Sequence, residues 1–303
     1  MPDKLIVTHI FPDLDAIASV WLLQRFDDDL KTAKLEFVPA GKTYQNQAVD
    51  SDPTLIHVDT GMGRFDHHQD NERTCAAKLV FNYLKSQKKI SLKYQSALER
   101  LIEIVTQADQ FEDFYWEKPS DDRYEFFLQY LLDNFKLSGK LNDTELVYQG
   151  MALLDAVLFG LRQKIESEKE IAKGIKFKSK WGRSLGVETQ IIFDIKLAHK
   201  LGFNLVVRKE TETGFVSIKS QPKKDLDLGE VYDELKKADS QADWFFHSSR
   251  HIISNGSRHN KNVKPSRLSL KEIIEIIKNI NPPVGGKGGV LNDNVHHRQG
   301  AAR

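Results

Sequence analysis

Cysteine is almost absent from this chain of 303 residues, where Cys75 is the only one. No disulfide can therefore form within the chain, and a zinc site built on several thiolates is excluded. Apolar runs are also short, and none approaches the roughly 20 residues that a membrane span needs. Residues 1–9 lack the basic start and apolar stretch of a signal peptide. We therefore expect a cytoplasmic protein without membrane contact, in which any metal is bound by histidine and carboxylate side chains.

The charged residues are divided unevenly along the chain. Residues 1–160 contain 17 Lys and Arg against 26 Asp and Glu, whereas residues 161–303 contain 27 against 17. An acidic half suits cations, and a basic half suits phosphates or a polynucleotide. Surface drift between two domains would produce the same division, so charge alone leaves both interpretations open.

The first 110 residues alternate short apolar runs with amphipathic stretches, which predicts βαβ units and a mainly parallel sheet with flanking helices. Strands are expected over 4–9, 35–39 and 54–60, and helices over 16–26, 75–85, 92–109, 124–135 and 145–173. After residue 174 we expect strands over 188–193, 204–208, 214–220 and 244–247, and helices over 195–201 and 270–280.

These elements predict an α/β protein with four parts. A catalytic domain would occupy residues 1–140, a helical connector 141–175, a smaller α/β substrate-binding domain 176–280 and a disordered tail 281–303. The tail prediction follows from its glycine-rich, polar and aperiodic sequence.

Three potential metal ligands follow the first predicted strand directly: His9, Asp13 and Asp15 in the segment HIFPDLD. Loops at the carboxyl ends of parallel strands meet at one crevice, where ligands bind in such sheets. Asp is also a favoured N-cap, so the two carboxylates could instead cap the helix that begins near Ala16. The segment alone leaves both roles open.

A second group of ligands follows the third predicted strand. Asp59 ends that strand, and Asp66, His67 and His68 come seven to nine residues later. Asp109 lies four residues after Val105 and shares its helix face, where a carboxylate is costly unless it is paired or metal-bound. If the helix ended before Asp109, that side chain would instead be solvated. Asp113, next in line, is predicted to lie on the surface.

Mixed histidine and carboxylate ligands indicate a pair of divalent ions, whose four positive charges would balance four Asp carboxylates. Such ligands suit Mn²⁺ best, with Mg²⁺ as the alternative, while Fe, Co and Zn stay open. Paired metal ions assist phosphoryl displacement by holding both the attacking and the leaving oxygen. The sequence therefore predicts a hydrolase that acts on phosphate esters with water and without a covalent intermediate.

The segments HIFPDLDAIAS, HVDTG, FDHHQ and TQAD resemble, in order, the four motifs of the DHH phosphoesterase superfamily. FDHHQ is similar to the Myg-type branch, which includes 3′–5′ RNA exonucleases. By motif, the resemblance implies that His9 and Asp13 bind one ion, that Asp15 and His67 bind the other, and that Asp59 and Asp109 contact both. It also implies that His68 contacts the substrate phosphate as a donor or general acid, and that Asp66 orients His67.

The second domain resembles the substrate-binding domain of the same superfamily more loosely. Lys219 stands where an Arg is usual, and the usual GGGH loop is replaced by a segment without acidic residues from Trp244 to Lys271. The Lys and Arg residues of this segment favour a loop that faces phosphate, but a solvated basic loop would have the same composition. The resemblance implies that substrate is bound by Lys219, His247, Arg250, Ser254, Asn255, Gly256, Arg258, His259 and Lys264.

The function that we expect is hydrolysis of phosphodiesters or phosphomonoesters in short RNA, short DNA or nucleotides, as in Myg-type 3′–5′ exonucleases. One alternative is a phosphatase for bisphosphate nucleotides or inorganic pyrophosphate, although the cationic C-terminal run of the pyrophosphatase branch is missing. Another is a metal-binding or nucleic-acid-binding protein without catalysis. Formation of a homodimer is left open.

Overall fold

The computed structural model describes residues 4–69, 71–257, 260 and 262–280. The chain divides into two compact units, Met1–Ile165 (unit 1) and Glu166–Arg303 (unit 2). Both units combine helices with a β-sheet, which confirms the predicted α/β class. The division falls within the segment that was predicted as a connector, and the predicted tail lies outside the described residues.

The sheet of unit 1 is parallel and small. It consists of β1 (Leu5–His9), β2 (Lys34–Val38) and β3 (Leu55–His57), in the order β2-β1-β3. Central β1 pairs in parallel with both neighbours and buries Ile6 and Val7 completely. Because all three strands run the same way, the residues that follow β1 and β3 emerge at one edge of the sheet.

Five α-helices among the described residues belong wholly or partly to unit 1. They are α1 (Leu14–Phe26), α2 (Ala76–Ser86), α3 (Leu92–Asp109), α4 (Leu128–Leu137) and α5 (Asp143–Lys173), the last of which continues past the unit boundary. Helix α1 is buried at every position from Leu14 to Leu23, as expected for an element apolar on nearly all sides. Its Trp21 is fully buried, and the indole N–H donates to Asp155 of α5 at 3.2 Å.

Helix α5 departs from the expectation that no segment resembles a membrane span. An 18-residue window within it has a mean hydropathy of 1.2, and only 28% of that window is buried. By length and composition alone, such a helix could cross a membrane. A single helix of this kind is weak evidence for a membrane span, because core helices of other proteins meet the same criteria. Its buried positions, including Leu146, Leu154 and Leu158, join the hydrophobic core of unit 1.

Unit 2 contains a mixed six-stranded sheet. Its strands are β4 (Ile175–Ser179), β5 (Gly182–Glu188), β6 (Leu205–Lys209), β7 (Val216–Ser220), β8 (Phe245–Phe246) and β9 (Ile252–Asn255). The order is β4-β5-β6-β7-β9-β8, with β5 and β6 parallel and every other pair antiparallel. Its helices are α6 (Ile195–Lys200), α7 (Gly229–Ala238) and α8 (Leu270–Asn279). A capping box between Ser269 and Glu272 begins α8.

The prediction was wrong for several elements of unit 2. Residues 189–193 are not a strand, because the strand in this region, β5, ends at Glu188. Strands β4 and β9 and helix α7 were not predicted, and β5 was predicted only at its last residue, Glu188. Strand β5 contains Gly186, which lacks the side chain that marks a strand, because α8 lies too close. A Cβ there would approach Ile274 Cδ1 to 2.6 Å.

Candidate metal centre

The edge of the parallel sheet brings His9 and Asp59 together. His9 ends β1, Asp59 follows β3 by two residues, and the distance from His9 Nε2 to Asp59 Oδ2 is 3.2 Å. The other ring nitrogen, Nδ1, donates to the carbonyl of Ile10 at 2.9 Å, which leaves Nε2 as the ligand atom. Asp59 has a left-handed backbone with φ of 53°. This conformation is costly for a residue with a side chain, and such strain concentrates at functional sites.

Asp13 caps a helix and also lies among the potential metal ligands, so the two roles that its sequence left open are compatible. Its Oδ1 accepts the backbone N–H groups of Asp15 and Ala16, each at 3.0 Å, and so caps α1. The same carboxylate lies within a cluster of ligand atoms that also includes His9 and Asp59. Capping uses only Oδ1, so Oδ2 can serve a cation.

Asp15 joins α1 to the start of α2. Its carboxylate is 2% exposed and accepts the N–H groups of Ala76 at 2.7 Å and Ala77 at 2.8 Å. These are the first two residues of α2, where the orphan N–H groups and the helix dipole favour a negative charge. The backbone therefore holds this ligand in position.

His67 lies among three carboxylates. Its Nε2 is 3.7 Å from Asp15 Oδ2, 3.6 Å from Asp59 Oδ1 and 3.6 Å from Asp109 Oδ2. Asp109 is the last residue of α3, and its side chain is only 13% exposed. The solvated alternative for Asp109 therefore does not describe the structure.

The ligand atoms form three overlapping groups, in each of which the atoms lie within 4.8 Å of one another. Two buried atoms in these groups, Asp59 Oδ1 and His67 Nε2, have no hydrogen-bond partner among the described residues. Buried polar atoms without partners are costly, and cation binding would satisfy both. The clusters therefore fit divalent metal binding. The groups are His9 with Asp13 and Asp59, Asp15 with His67 and Asp109, and Asp59 with His67 and His68.

The electrostatics of the cluster also call for positive charge. Burial, followed by the negative charge of Asp59, raises the pKa of Asp13 and raises that of Asp15 well above its ordinary value. The neighbouring Asp59 carboxylate is the largest influence on His67 and raises its pKa to about 9. Burial lowers the pKa of His9, but contact with Asp59 and the charge of Asp13 outweigh it and raise that pKa to about 9. Without metal ions, protons on the two histidines would supply the balancing charge.

Asp66 contacts His68, whereas the family resemblance implied that it orients His67. Its Oδ1 is 2.7 Å from His68 Nδ1 and also accepts the backbone N–H of His68 at 3.1 Å. Its Oδ2 accepts the N–H of Met62 at 2.7 Å, so the buried carboxylate is fixed on both sides. With Nδ1 bonded to Asp66, the Nε2 atom of His68 is the one available to a substrate.

A cavity of about 810 Å³ opens beside this cluster in unit 1. Besides the ligand residues, its walls include Phe111, Asp113, Tyr130 and Lys136. Asp113 was predicted to be a surface residue, but its Oδ2 accepts the hydroxyl of Tyr130 at 2.6 Å and its Oδ1 is buried. The sequence prediction missed Lys136, because α4 carries none of the motifs. A second cavity, of about 350 Å³, borders Asp59 and His68 on another side.

Unit 2 has a cavity of its own, of about 920 Å³. Three residues that were predicted to bind substrate line it, namely Lys219, Ser254 and Gly256. Ser217 on β7 pairs with Ser254 on β9, and Lys219 pairs with Ile252, so the four side chains share one face of the sheet.

The other predicted substrate residues lie elsewhere or are not described. Asn255 is fully buried on the opposite face, where its amide donates to the carbonyls of Asp243 and Lys264 and accepts from Ser266. Alternate residues of a strand point to opposite faces, which separates Asn255 from Ser254. Arg250 pairs with Asp227, His247 bonds to Ser249, and Lys264 is exposed; none of the three lines the cavity. Arg258 and His259 lie outside the described residues.

Among the cavity residues of unit 2 that the sequence prediction missed, Arg208 and His199 are notable for buried ring or guanidinium nitrogens. Arg208 Nη2 lies 2.8 Å from Glu210 Oε1, and its Nε has no partner among the described residues. His199 donates from Nδ1 to the carbonyl of Phe203 at 2.8 Å, and its Nε2 is likewise unpartnered. In the sequence, Arg208 was marked only by the charged residues at the end of the apolar strand β6. Nothing in the local sequence distinguished His199.

Neither a protein-family model nor a curated protein matches the chain. Among solved structures, a DHH-domain protein described as a member of a family of ribosomal proteins matches with a TM-score of 0.31 and 11% identity, covering 91% of this chain and 85% of that one. RecJ from Thermus thermophilus, in complex with Mg²⁺, matches with a TM-score of 0.30 and 11% identity, covering 91% and 49%. This chain thus spans about half the length of RecJ. Scores of this size do not establish a shared fold.

Proposed function

We propose that this protein is a metal-dependent hydrolase of phosphate esters. The observation that carries the proposal is the set of three overlapping ligand groups around Asp59 and His67, whose buried Asp59 Oδ1 and His67 Nε2 lack partners among the described residues. A ligand set of carboxylate oxygens and imidazole nitrogens suits hard or borderline divalent ions.

We further propose that the chain belongs to the DHH phosphoesterase superfamily and, within it, to the Myg-type branch. Support comes from the four sequence motifs, whose ligand residues lie within one cluster in unit 1. In this proposal His9 and Asp13 would hold one ion, Asp15 and His67 would hold the other, and Asp59 and Asp109 would serve both. When bound, two such ions supply Lewis acidity and lower the pKa of water, which favours attack on phosphorus.

His68 is the residue that we assign to proton transfer. Asp66 fixes its Nδ1, so the ring presents Nε2, and 56% of the side chain is exposed. An imidazole in this arrangement can hold a proton on Nε2 and deliver it to the leaving oxygen of the ester. The Asp66 carboxylate fixes the orientation of the ring while that proton is held.

The proposed substrates are short RNA, short DNA or nucleotides, and the proposed ions are Mn²⁺ first and Mg²⁺ second. The basic composition of the second half of the chain supports a phosphate-bearing substrate. In unit 2, we assign substrate contacts to Lys219, Ser254 and Gly256, with Arg208 as a further cation at the same cavity.

The test is a hydrolysis panel with Mn²⁺, with Mg²⁺ and with EDTA. The substrates are an RNA 5-mer and 24-mer, adenosine 3′,5′-bisphosphate, a cyclic dinucleotide and inorganic pyrophosphate. We expect turnover of the short nucleic acids or nucleotides that EDTA abolishes. Turnover that survives EDTA, or no turnover of any substrate with either ion, would contradict the proposal.

A further inference from the structure

Phe111 lies at the wall of the cavity of about 810 Å³ beside the ligand cluster, which we call the metal cavity. Its exposed aromatic side chain has little role in folding. It lies two residues after Asp109, and its residue surface is 71% exposed. Its backbone is left-handed, with φ of 55°, which is unfavourable for a residue with a large side chain. Three residues later, Phe114 is equally exposed at 72% but does not line this cavity. The two residues therefore differ in position but not in type or exposure.

Lys136 of α4 is the only Lys or Arg among the described residues that line the cavity. Its Nζ lies 3.1 Å from Asp133 Oδ1, and the side chain is 21% exposed. The remaining charged walls are acidic and include Glu72, Asp113 and Asp133, in addition to the metal ligands. Repulsion from these walls disfavours a long polyanion in this cavity. The single positive charge of Lys136 is suited to one phosphate group.

The size of the cavity agrees with this charge argument. Its volume of about 810 Å³ falls within the range of small-molecule sites, roughly 300–1,000 Å³. A single nucleotide has an aromatic base and an anionic phosphate, which are complementary to a phenylalanine ring and an ammonium group.

We propose that Phe111 and Lys136 form a subsite of unit 1 for one nucleotide, in which Phe111 stacks on the base and Lys136 contacts a phosphate oxygen. The inference rests on the proposed function, because it takes the cluster of metal-ligand residues as the reaction centre. Phe111 is then a specificity-determining residue that distinguishes a nucleotide from a phosphate ester without a base.

The decisive experiment compares binding of adenosine 5′-monophosphate and of ribose 5-phosphate, in which a hydroxyl group replaces the base. Calorimetric titrations of the full chain would use Ca²⁺ in place of Mg²⁺ or Mn²⁺ to slow turnover. The wild type should prefer the nucleotide. Phe111→Ala should weaken nucleotide binding about 5- to 150-fold, from the usual strength of base–aromatic stacking, and leave ribose 5-phosphate binding unchanged.

Phe114→Ala is the matched control and should retain the preference of the wild type. If Phe111→Ala disturbs the loop, Phe111→Leu keeps an apolar side chain and should still lose most of the preference, whereas Phe111→Trp should keep it. Lys136→Ala should weaken both ligands equally, Lys136→Arg should weaken them less, and Lys140→Ala should have no effect.

Equal binding of the two ligands by the wild type would overturn the inference, as would equal losses in Phe111→Ala and Phe114→Ala. These binding results are independent of turnover. A protein that binds the nucleotide through Phe111 but hydrolyses no phosphate ester would contradict the proposed function and leave the subsite standing.

Discussion

Replacement of Asp59 by Asn should separate metal binding from folding. The amide keeps the size of the side chain but removes the charge that faces His9 at 3.2 Å and His67 at 3.6 Å. Asp59 belongs to two of the three ligand groups, so its loss should affect both ion positions. We expect Asp59→Asn to bind less than one equivalent of Mn²⁺ under conditions that give two in the wild type.

The size of the effect on stability follows from linkage. An ion present at about 100 times its dissociation constant stabilises the folded state by about 2.7 kcal/mol. For a unit the size of Met1–Ile165, each kcal/mol changes the unfolding midpoint by about 2–4 °C. Each ion should therefore raise the midpoint of the EDTA-treated wild type by about 5–11 °C, which gives about 11–22 °C for two independent ions, and the variant should show little of this rise.

Metal content from mass spectrometry and the midpoint from calorimetry together test this reasoning. Asp28→Asn, at an exposed position of unit 1, is the control and should behave as the wild type. A variant at Asp59 with two bound ions and the full rise in midpoint would refute the assignment of Asp59 to both ion positions.

Three further predictions concern proton transfer, a turn and a helix cap. His68→Ala should keep both metal ions and lower turnover about 10²–10⁴-fold, and Asp66→Asn should add little to that loss in the double variant, since the two residues act through one contact. Gly256→Ala should destabilise unit 2 by about 2–5 kcal/mol in urea unfolding, because φ is +84° and a Cβ would lie 2.3 Å from a phenylalanine ring. Gly214→Ala, with φ of +71° and only ordinary van der Waals contacts for the added Cβ, should cost about 1–2 kcal/mol. Ser269→Ala should remove the capping box of α8 at a cost of about 1 kcal/mol, measured in the same way.

The sequence predicted the elements that carry the cluster of potential metal ligands, because the sequence signals of these elements are local. Helix α3 was predicted over 92–109, as observed, from the spacing of Leu98, Leu101 and Val105. The ligands after β1 and β3 follow from one rule, namely that parallel strands bring their carboxyl ends to one edge. The sequence could not show that Asp66 contacts His68, since adjacent histidines both lie within reach of one carboxylate.

The sequence was less informative wherever the cause is a distant neighbour. Gly186 weakens the strand signal of β5, and the reason is Ile274, which lies 88 positions further along the chain. Lys136 lines the metal cavity through the packing of α4, which no motif marks. Asn255 and Ser254 have similar polarity, and only the phase of β9 decides which one faces the cavity.

The backbone contacts of Asp13 and Asp15 have a consequence for the kinetics of metal exchange. Each carboxylate accepts two N–H groups at the start of a helix, so its position does not depend on an ion. Small zinc domains, by contrast, unfold when the metal leaves. Here the empty ligand shell would keep its shape, and ions would enter and leave without a folding step. Exchange of one divalent ion for another should then require no refolding of unit 1.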